Sequence, residues 1–174
     1  MNTQGKGDVN QAVKKTVATI GIIFGFGGIS HGIFEAMQGY NPTGGLVIDA
    51  IGESHRMWVH GNEPAFTVIP NFLLTGIAAI VTGTAIIIWS AGYLYKKNAS
   101  IIFLLLFILL FLVGGGIGQV IFFTLGWIMS LYIRRPLSVG RKIFSGNRFR
   151  FLSKLWLPLL AAATLLILFT LQIA

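Results

Sequence analysis

Long apolar segments alternate with short polar stretches along the whole chain. The apolar segments lie at 16–37, 70–93, 101–133 and 155–174. A helix of about 20 apolar residues is long enough to cross the hydrocarbon core of a bilayer, which is about 30 Å thick. The alternation therefore predicts helices that lie in a membrane and are joined by polar loops.

The third apolar segment has no charged residue from Ile101 to Ile133 and is interrupted by the glycine run Gly114-Gly115-Gly116-Ile117-Gly118. As one helix it would be about 50 Å long, well beyond the thickness of the core. It would also place the basic residues of 134–154 on the opposite side from Lys96-Lys97, against the tendency of Lys and Arg to lie in cytoplasmic loops. We therefore predict two short helices joined by a turn at the glycines.

The predicted fold is all-α, a polytopic membrane protein that forms a single domain over 1–174. Because Lys6, Lys14 and Lys15 precede the first apolar segment, the N-terminus is expected in the cytoplasm and the C-terminus outside. The loop 38–68 is expected outside, and the basic loop 134–154 in the cytoplasm. The five membrane-embedded segments are predicted at 16–37, 70–93, 101–113, 117–133 and 155–174.

Composition supports a membrane location. Hydrophobic residues make up 55% of the chain and charged residues only 10%, whereas a soluble domain has about 25% charged residues. The net charge of +8 does not indicate nucleic acid, because the basic residues flank apolar segments and are not interleaved with stacking aromatics. We interpret them as topological anchors that contact anionic lipid headgroups at the cytoplasmic face. The chain has no cysteine, which excludes disulfides and thiolate metal sites.

Nearly all of the residues that could carry chemistry fall in one part of the chain. All three histidines and four of the five acidic residues lie between His31 and Glu63. His31 and Glu35 are four positions apart on a predicted helix, so they share one face. Ionisable groups at membrane depth are costly, and each is a candidate for a functional site.

The sharpest hypothesis is a polar pocket for a small ligand, an ion or a proton. The turn at the glycines and His31 have similar estimated depths, and irregular backbone at that depth needs protein or water around it. We expect the Glu35 carboxylate to lie within hydrogen-bond reach, directly or through one water, of His31 or of a polar group of the turn or loop. In the simpler alternatives, His31 and Glu35 form a structural hydrogen bond and the glycines only make a tight turn. The predicted pocket residues are His31, Glu35, Asn71, Gly114, Gly115, Gly116 and Gln119.

A metal ion is the alternative occupant, with zinc and iron not separable; no other cofactor is predicted. Three or four ligands would be needed, and the outer loop would have to fold over the first span to supply them. The spacing of His55 and His60 is not a ligand signature by itself. The candidate ligands are His31, Glu35, Glu53, His55 and His60.

Small residues form stripes on the first two predicted spans. Such stripes let helices approach closely in lipid. We predict that they are helix-packing surfaces, and homo-oligomers or other membrane subunits are possible partners. The glycines of these stripes are Gly21, Gly25, Gly28 and Gly32 on the first span, and Gly76 and Gly83 on the second.

Three segments resemble a family of small, uncharacterised bacterial integral membrane proteins. They are His31-Gly32-Ile33-Phe34-Glu35, the stretch 61–76 that begins Gly61-Asn62-Glu63-Pro64, and Leu112-Val113-Gly114-Gly115-Gly116-Ile117-Gly118-Gln119. The resemblance implies a location in the bacterial inner membrane and carries no activity. Function is therefore predicted from the residues alone: a transport or channel-like subunit with an outward-facing polar pocket, leaning away from an enzyme. The alternatives are a membrane-embedded metalloenzyme and a structural or accessory subunit of a membrane complex.

Overall fold

The computed structural model of the protein describes residues 9–56 and 61–134, together with helical residues at 154, 155, 158, 161 and 162. The first two stretches belong to one compact unit, and the residues after 153 belong to a second. Most of the predicted basic loop 134–154 and of the predicted span 155–174 lies outside the described residues.

The first unit contains four helices within the described residues. They begin and end where the sequence provides caps and breaks: the side-chain oxygens of Asn10 and Asn71 accept hydrogen bonds from the first-turn N–H groups of Val13 and Leu74. The helices are α1 (Gln11–Met37), α2 (Phe72–Gly92), α3 (Ala99–Leu112) and α4 (Gln119–Ser130).

Two of these helices, not five, are long and apolar enough to span a membrane. With 27 and 21 residues, α1 and α2 are about 40 and 31 Å long at 1.5 Å per residue. With 14 and 12 residues, α3 and α4 are only about 21 and 18 Å long. The prediction of five membrane-embedded helices is therefore wrong. Hydropathy measured how apolar the third segment is, but not how much of it is helical.

The all-α prediction is also wrong, because the unit contains a three-stranded antiparallel sheet. Its strands are β1 (Val47–Asp49), β2 (Pro64–Thr67) and β3 (Val113–Gly116), in the order β1-β2-β3. The glycine run, expected as an irregular turn, is the strand β3, and the loop predicted at 38–68 supplies β1 and β2. Strands this short, one of them largely glycine, carry almost no propensity signal in the sequence.

The sheet lies at the end of the unit where α1 and α3 end and α2 and α4 begin. The acidic residues of the described chain lie at this end, on β1, on the following 3₁₀ turn, just before β2 and in the last turn of α1. The described Lys and Arg residues of this unit, Arg56 excepted, lie at the opposite end. They are Lys14, Lys15, Lys96, Lys97 and Arg134.

Helices α1 and α2 pack closely through their small residues. A Cβ atom placed on Gly32 would lie 2.5 Å from the carbonyl oxygen of Gly76, and one placed on Gly25 would lie 2.9 Å from that of Gly83. Gly28 instead faces the side chain of Leu110 on α3, 2.8 Å from an added Cβ. The stripe predicted on α1 thus contacts two different helices.

Candidate functional site

Strand β3 is shaped by a bulge at Gly114. Gly116 and Gly115 pair with Ala65 and Phe66, whereas the next residue of β2, Thr67, pairs with Val113. Gly114 is therefore the extra residue, and its φ of +109° is one that side-chain-bearing residues rarely adopt.

The bulge brings the backbone of β3 against two side chains of α1. A Cβ atom on Gly116 would lie 2.8 Å from Cε1 of His31, and one on Gly114 would lie 2.7 Å from Oε1 of Glu35. Strand residues 113–116 are all buried. Glycine is required because only a backbone without side chains can lie this close to the imidazole and the carboxylate.

His31 connects the interior to the surface. Its Nε2 lies 2.5 Å from Oε2 of Glu63, in a hydrogen bond whose donor depends on the protonation of the two groups. The His31 side chain is 7% exposed and that of Glu63 is 68% exposed. Its other ring nitrogen, Nδ1, has no hydrogen-bond partner within the described residues. Within the described residues, the buried imidazole is thus bonded to one exposed carboxylate.

Glu35 is fully buried, and neither carboxylate oxygen has a hydrogen-bond partner among the residues that the structure describes. No direct hydrogen bond joins Glu35 to His31 or to a polar group of the turn or loop within the described residues, where His31 bonds to Glu63. An unpaired carboxyl group in the interior costs several kcal/mol if it is charged. Proteins keep such a costly group mainly at functional sites.

Gln119, the first residue of α4, extends the site along α1 toward Gly27. Its Nε2 would lie 2.9 Å from a Cβ on Gly27 and 3.3 Å from one on Gly116. Its Oε1 is buried and has no hydrogen-bond partner within the described chain. Gly27, His31 and Glu35 are spaced four apart, so Gln119, the imidazole and the carboxylate follow one face of α1.

Asn71 lies outside this arrangement. Its side chain is the N-cap of α2, with Oδ1 accepting from the Leu74 N–H at 3.1 Å. The structure therefore brings together His31, Glu35, Gly114, Gly116 and Gln119, with Gly115 against the Leu110 carbonyl oxygen. Asn71 has a local structural role.

Sequence reasoning missed a buried pair of threonines behind the bulge. The hydroxyl groups of Thr67 and Thr75 are 2.6 Å apart, and the Thr75 hydroxyl donates to the carbonyl oxygen of Val113 at 2.9 Å. This ties α2, β2 and β3 together next to Gly114. The available signal was a threonine within the apolar segment 70–93, since a polar group there needs a partner.

The candidate metal ligands do not converge among the described residues. Glu53 and His55 lie on an exposed 3₁₀ turn, where His55 Nδ1 is 3.0 Å from the Ser54 hydroxyl. Within residues 9–56 and 61–134, no three His, Asp or Glu side chains are grouped as a metal site would require. His60 lies outside the described residues, so the metal hypothesis stays untested.

Comparison of the chain with protein-family models, with curated proteins and with solved structures gave no significant match. The site is therefore interpreted from its own geometry.

Proposed function

We propose that this protein spans the bacterial inner membrane through α1 and α2 and binds protons at Glu35, as a transport subunit that takes them up from the side of the sheet. The length and composition of α1 and α2 support the membrane location, as does the resemblance to bacterial membrane proteins. The observation that carries the proton assignment is the buried Glu35 carboxylate, which has no hydrogen-bond partner among the described residues.

The proposed route begins at Glu63, the exposed carboxylate, and continues to the His31 imidazole through their hydrogen bond. Imidazole accepts and releases protons near neutral pH, and its two nitrogens can take up a proton on one side while releasing one on the other. The other nitrogen of His31, Nδ1, lies in the interior without a partner among the described residues, and Glu35 lies one helical turn nearer the sheet end of α1. The Glu63 carboxylate and the His31 imidazole thus supply proton acceptors between solvent and the buried Glu35 carboxylate.

Protons fit this site better than a larger ligand. The glycines of β3 already lie against the imidazole and the carboxylate, which leaves little room for a molecule between them. A proton needs no such space, and its binding would neutralise the buried carboxylate. The metalloenzyme and accessory-subunit hypotheses stay alternatives.

Proton passage is tested with purified protein in liposomes that contain a trapped pH-sensitive dye. A potassium gradient with valinomycin supplies the driving voltage, and the rate of internal pH change is recorded. Wild-type protein should change the internal pH faster than empty liposomes, and Glu35→Gln should abolish the difference. Glu53→Gln, which removes an exposed carboxylate on the same side, is the matched control and should behave as wild type.

Proton binding without passage is measured separately by infrared difference spectroscopy across a pH titration. The carbonyl stretch of a protonated carboxyl group should appear in wild type and disappear in Glu35→Gln. If the wild-type and Glu35→Gln proteins give the same flux and the same carbonyl signal, the proposed function is wrong. Glu63→Gln should slow the flux without removing the carbonyl signal, because it affects only the entrance.

A further inference from the structure

A cavity of about 320 Å³ lies at the opposite end of the same unit, between the loop that joins α2 to α3 and the end of α4. Three cationic side chains line it: Lys96 and Lys97 from the loop, and Arg134 from the residues after α4. No acidic residue lines it among the residues that the structure describes. The cavity is therefore a strongly positive environment.

The first turn of α3 adds further donors to this cavity, which Asn98 and Ser100 also line. Asn98 precedes α3 but makes no side-chain capping bond. The first N–H groups of a helix have no partner within the helix, and the positive end of its dipole lies there. In α3 the Ala99 N–H already donates to the carbonyl oxygen of Lys96 at 3.2 Å, so the N–H groups after it, which belong to residues that line the cavity, are the ones without this bond. Together with three cations, these groups form a site suited to a phosphate group.

Two of the three cationic groups have positioning contacts, and none is paired with an acidic side chain among the described residues. Arg134 donates to the carbonyl oxygen of Tyr95 at 2.6 Å, and the Lys96 ammonium lies 4.6 Å from the centre of the Tyr93 ring. Within the described chain the salt bridges are His31–Glu63 and Arg56–Asp49, both elsewhere. The positive charge of the cavity is thus available to an added anion.

The apolar part of the cavity distinguishes a lipid from a free anion. Leu94 and Ile133 are 1% and 2% exposed and belong to the core, whereas Ile101 and Leu131 are 60% and 43% exposed on its outer side. A molecule with its phosphate among the cations would have an apolar surface beside it, directed along α3. An anionic phospholipid has this combination of charged headgroup and acyl chains.

We propose that the cavity formed by Lys96, Lys97 and Arg134 binds the phosphate headgroup of an anionic phospholipid, with an acyl chain along Ile101 and Leu131. The site is independent of the proposed proton chemistry, which lies at the other end of the helices. Basic pockets beside apolar helices bind anionic headgroups in this way.

The test uses the full chain in a mild detergent, with native mass spectrometry counting bound short-chain phosphatidylglycerol over a range of lipid concentrations. Wild type should bind the lipid saturably. Lys96→Gln/Lys97→Gln should weaken binding by at least about tenfold, because each cation near an anionic surface contributes about 1 kcal/mol. The control is Lys14→Gln/Lys15→Gln, which removes the same charge at the same end from residues that do not line the cavity, although the Lys14 ammonium lies 5.8 Å from the centre of the Tyr95 ring. It should weaken binding by much less.

Two results would overturn the proposal. Equal loss of binding in the two double variants would mean diffuse attraction to a basic surface. Equal binding of inorganic phosphate and the lipid by wild type would mean a small-anion site without a lipid. Lys15, Lys96 and Lys97 are exposed and Lys14 is half-buried, and unchanged circular dichroism of each variant will establish that it is folded.

Discussion

The close contact between α1 and α2 makes a specific prediction for Gly76→Ala. A Cβ atom at Gly76 would lie 2.5 Å from the carbonyl oxygen of Gly32 and 2.6 Å from the backbone nitrogen of Ala36. Ordinary van der Waals contact begins at 3.4 Å, and the obstructing atoms are backbone, which cannot rotate away. The two helices must therefore separate by about 0.9 Å, a gap that forfeits a quarter to a half of each dispersion contact across it.

Two opposing contributions set the change in the free energy of unfolding that we expect for Gly76→Ala. Overpacking of this kind costs about 1–3 kcal/mol. Alanine in place of glycine favours the helix by up to about 1 kcal/mol. The matched control is Gly92→Ala at the end of the same helix, where an added Cβ would meet nothing within 4 Å. Gly76→Ala should therefore be less stable than Gly92→Ala by about 1–3 kcal/mol.

The measurement is the free energy of unfolding of the purified variants in mild detergent, followed by circular dichroism during a denaturant titration. Adding Gly32→Ala to Gly76→Ala should cost less than the sum of the single changes, because one separation of the helices accommodates both methyl groups. If Gly76→Ala and Gly92→Ala proved equally stable, the close packing of α1 on α2 would be refuted.

The same assay tests three further predictions. Thr75→Val should lower the free energy of unfolding by about 1–3 kcal/mol, because it leaves buried partners without a hydrogen bond; Thr84→Val, on the exposed side of α2, should change it by less than about 0.5 kcal/mol. Gly114→Ala should cost more than Gly44→Ala, since both have positive φ but only the first would press a methyl group onto Glu35; equal losses would exclude that contact. Glu35→Leu should raise the free energy of unfolding by about 1–3 kcal/mol, because a buried polar group without a partner is removed; a loss of stability would indicate a partner for Glu35.

Local spacing made part of the site predictable. His31 and Glu35 lie four apart, and α-helical geometry places any such pair on one face whatever surrounds the helix. Glycines four apart likewise form a stripe on a helix, and the small size of the side chain permits close packing. The placement of acidic and basic residues at opposite ends of the helices was also predictable, because these residues lie next to the ends of apolar segments in the sequence.

The tertiary structure decided what these residues contact. Strand β3 forms because 113–116 pairs with 64–67, far away in the chain, and neither segment has a pattern that specifies its partner or its register. That pairing breaks the apolar run from Ile101 to Ile133 into two helices too short to span a membrane. It also places Glu63 beside His31 and the bulge at Gly114 against Glu35, so the carboxylate lies buried without a direct hydrogen bond among the described residues. Helical faces follow from neighbours a few residues apart, whereas the sheet and the buried carboxylate depend on contacts between distant segments.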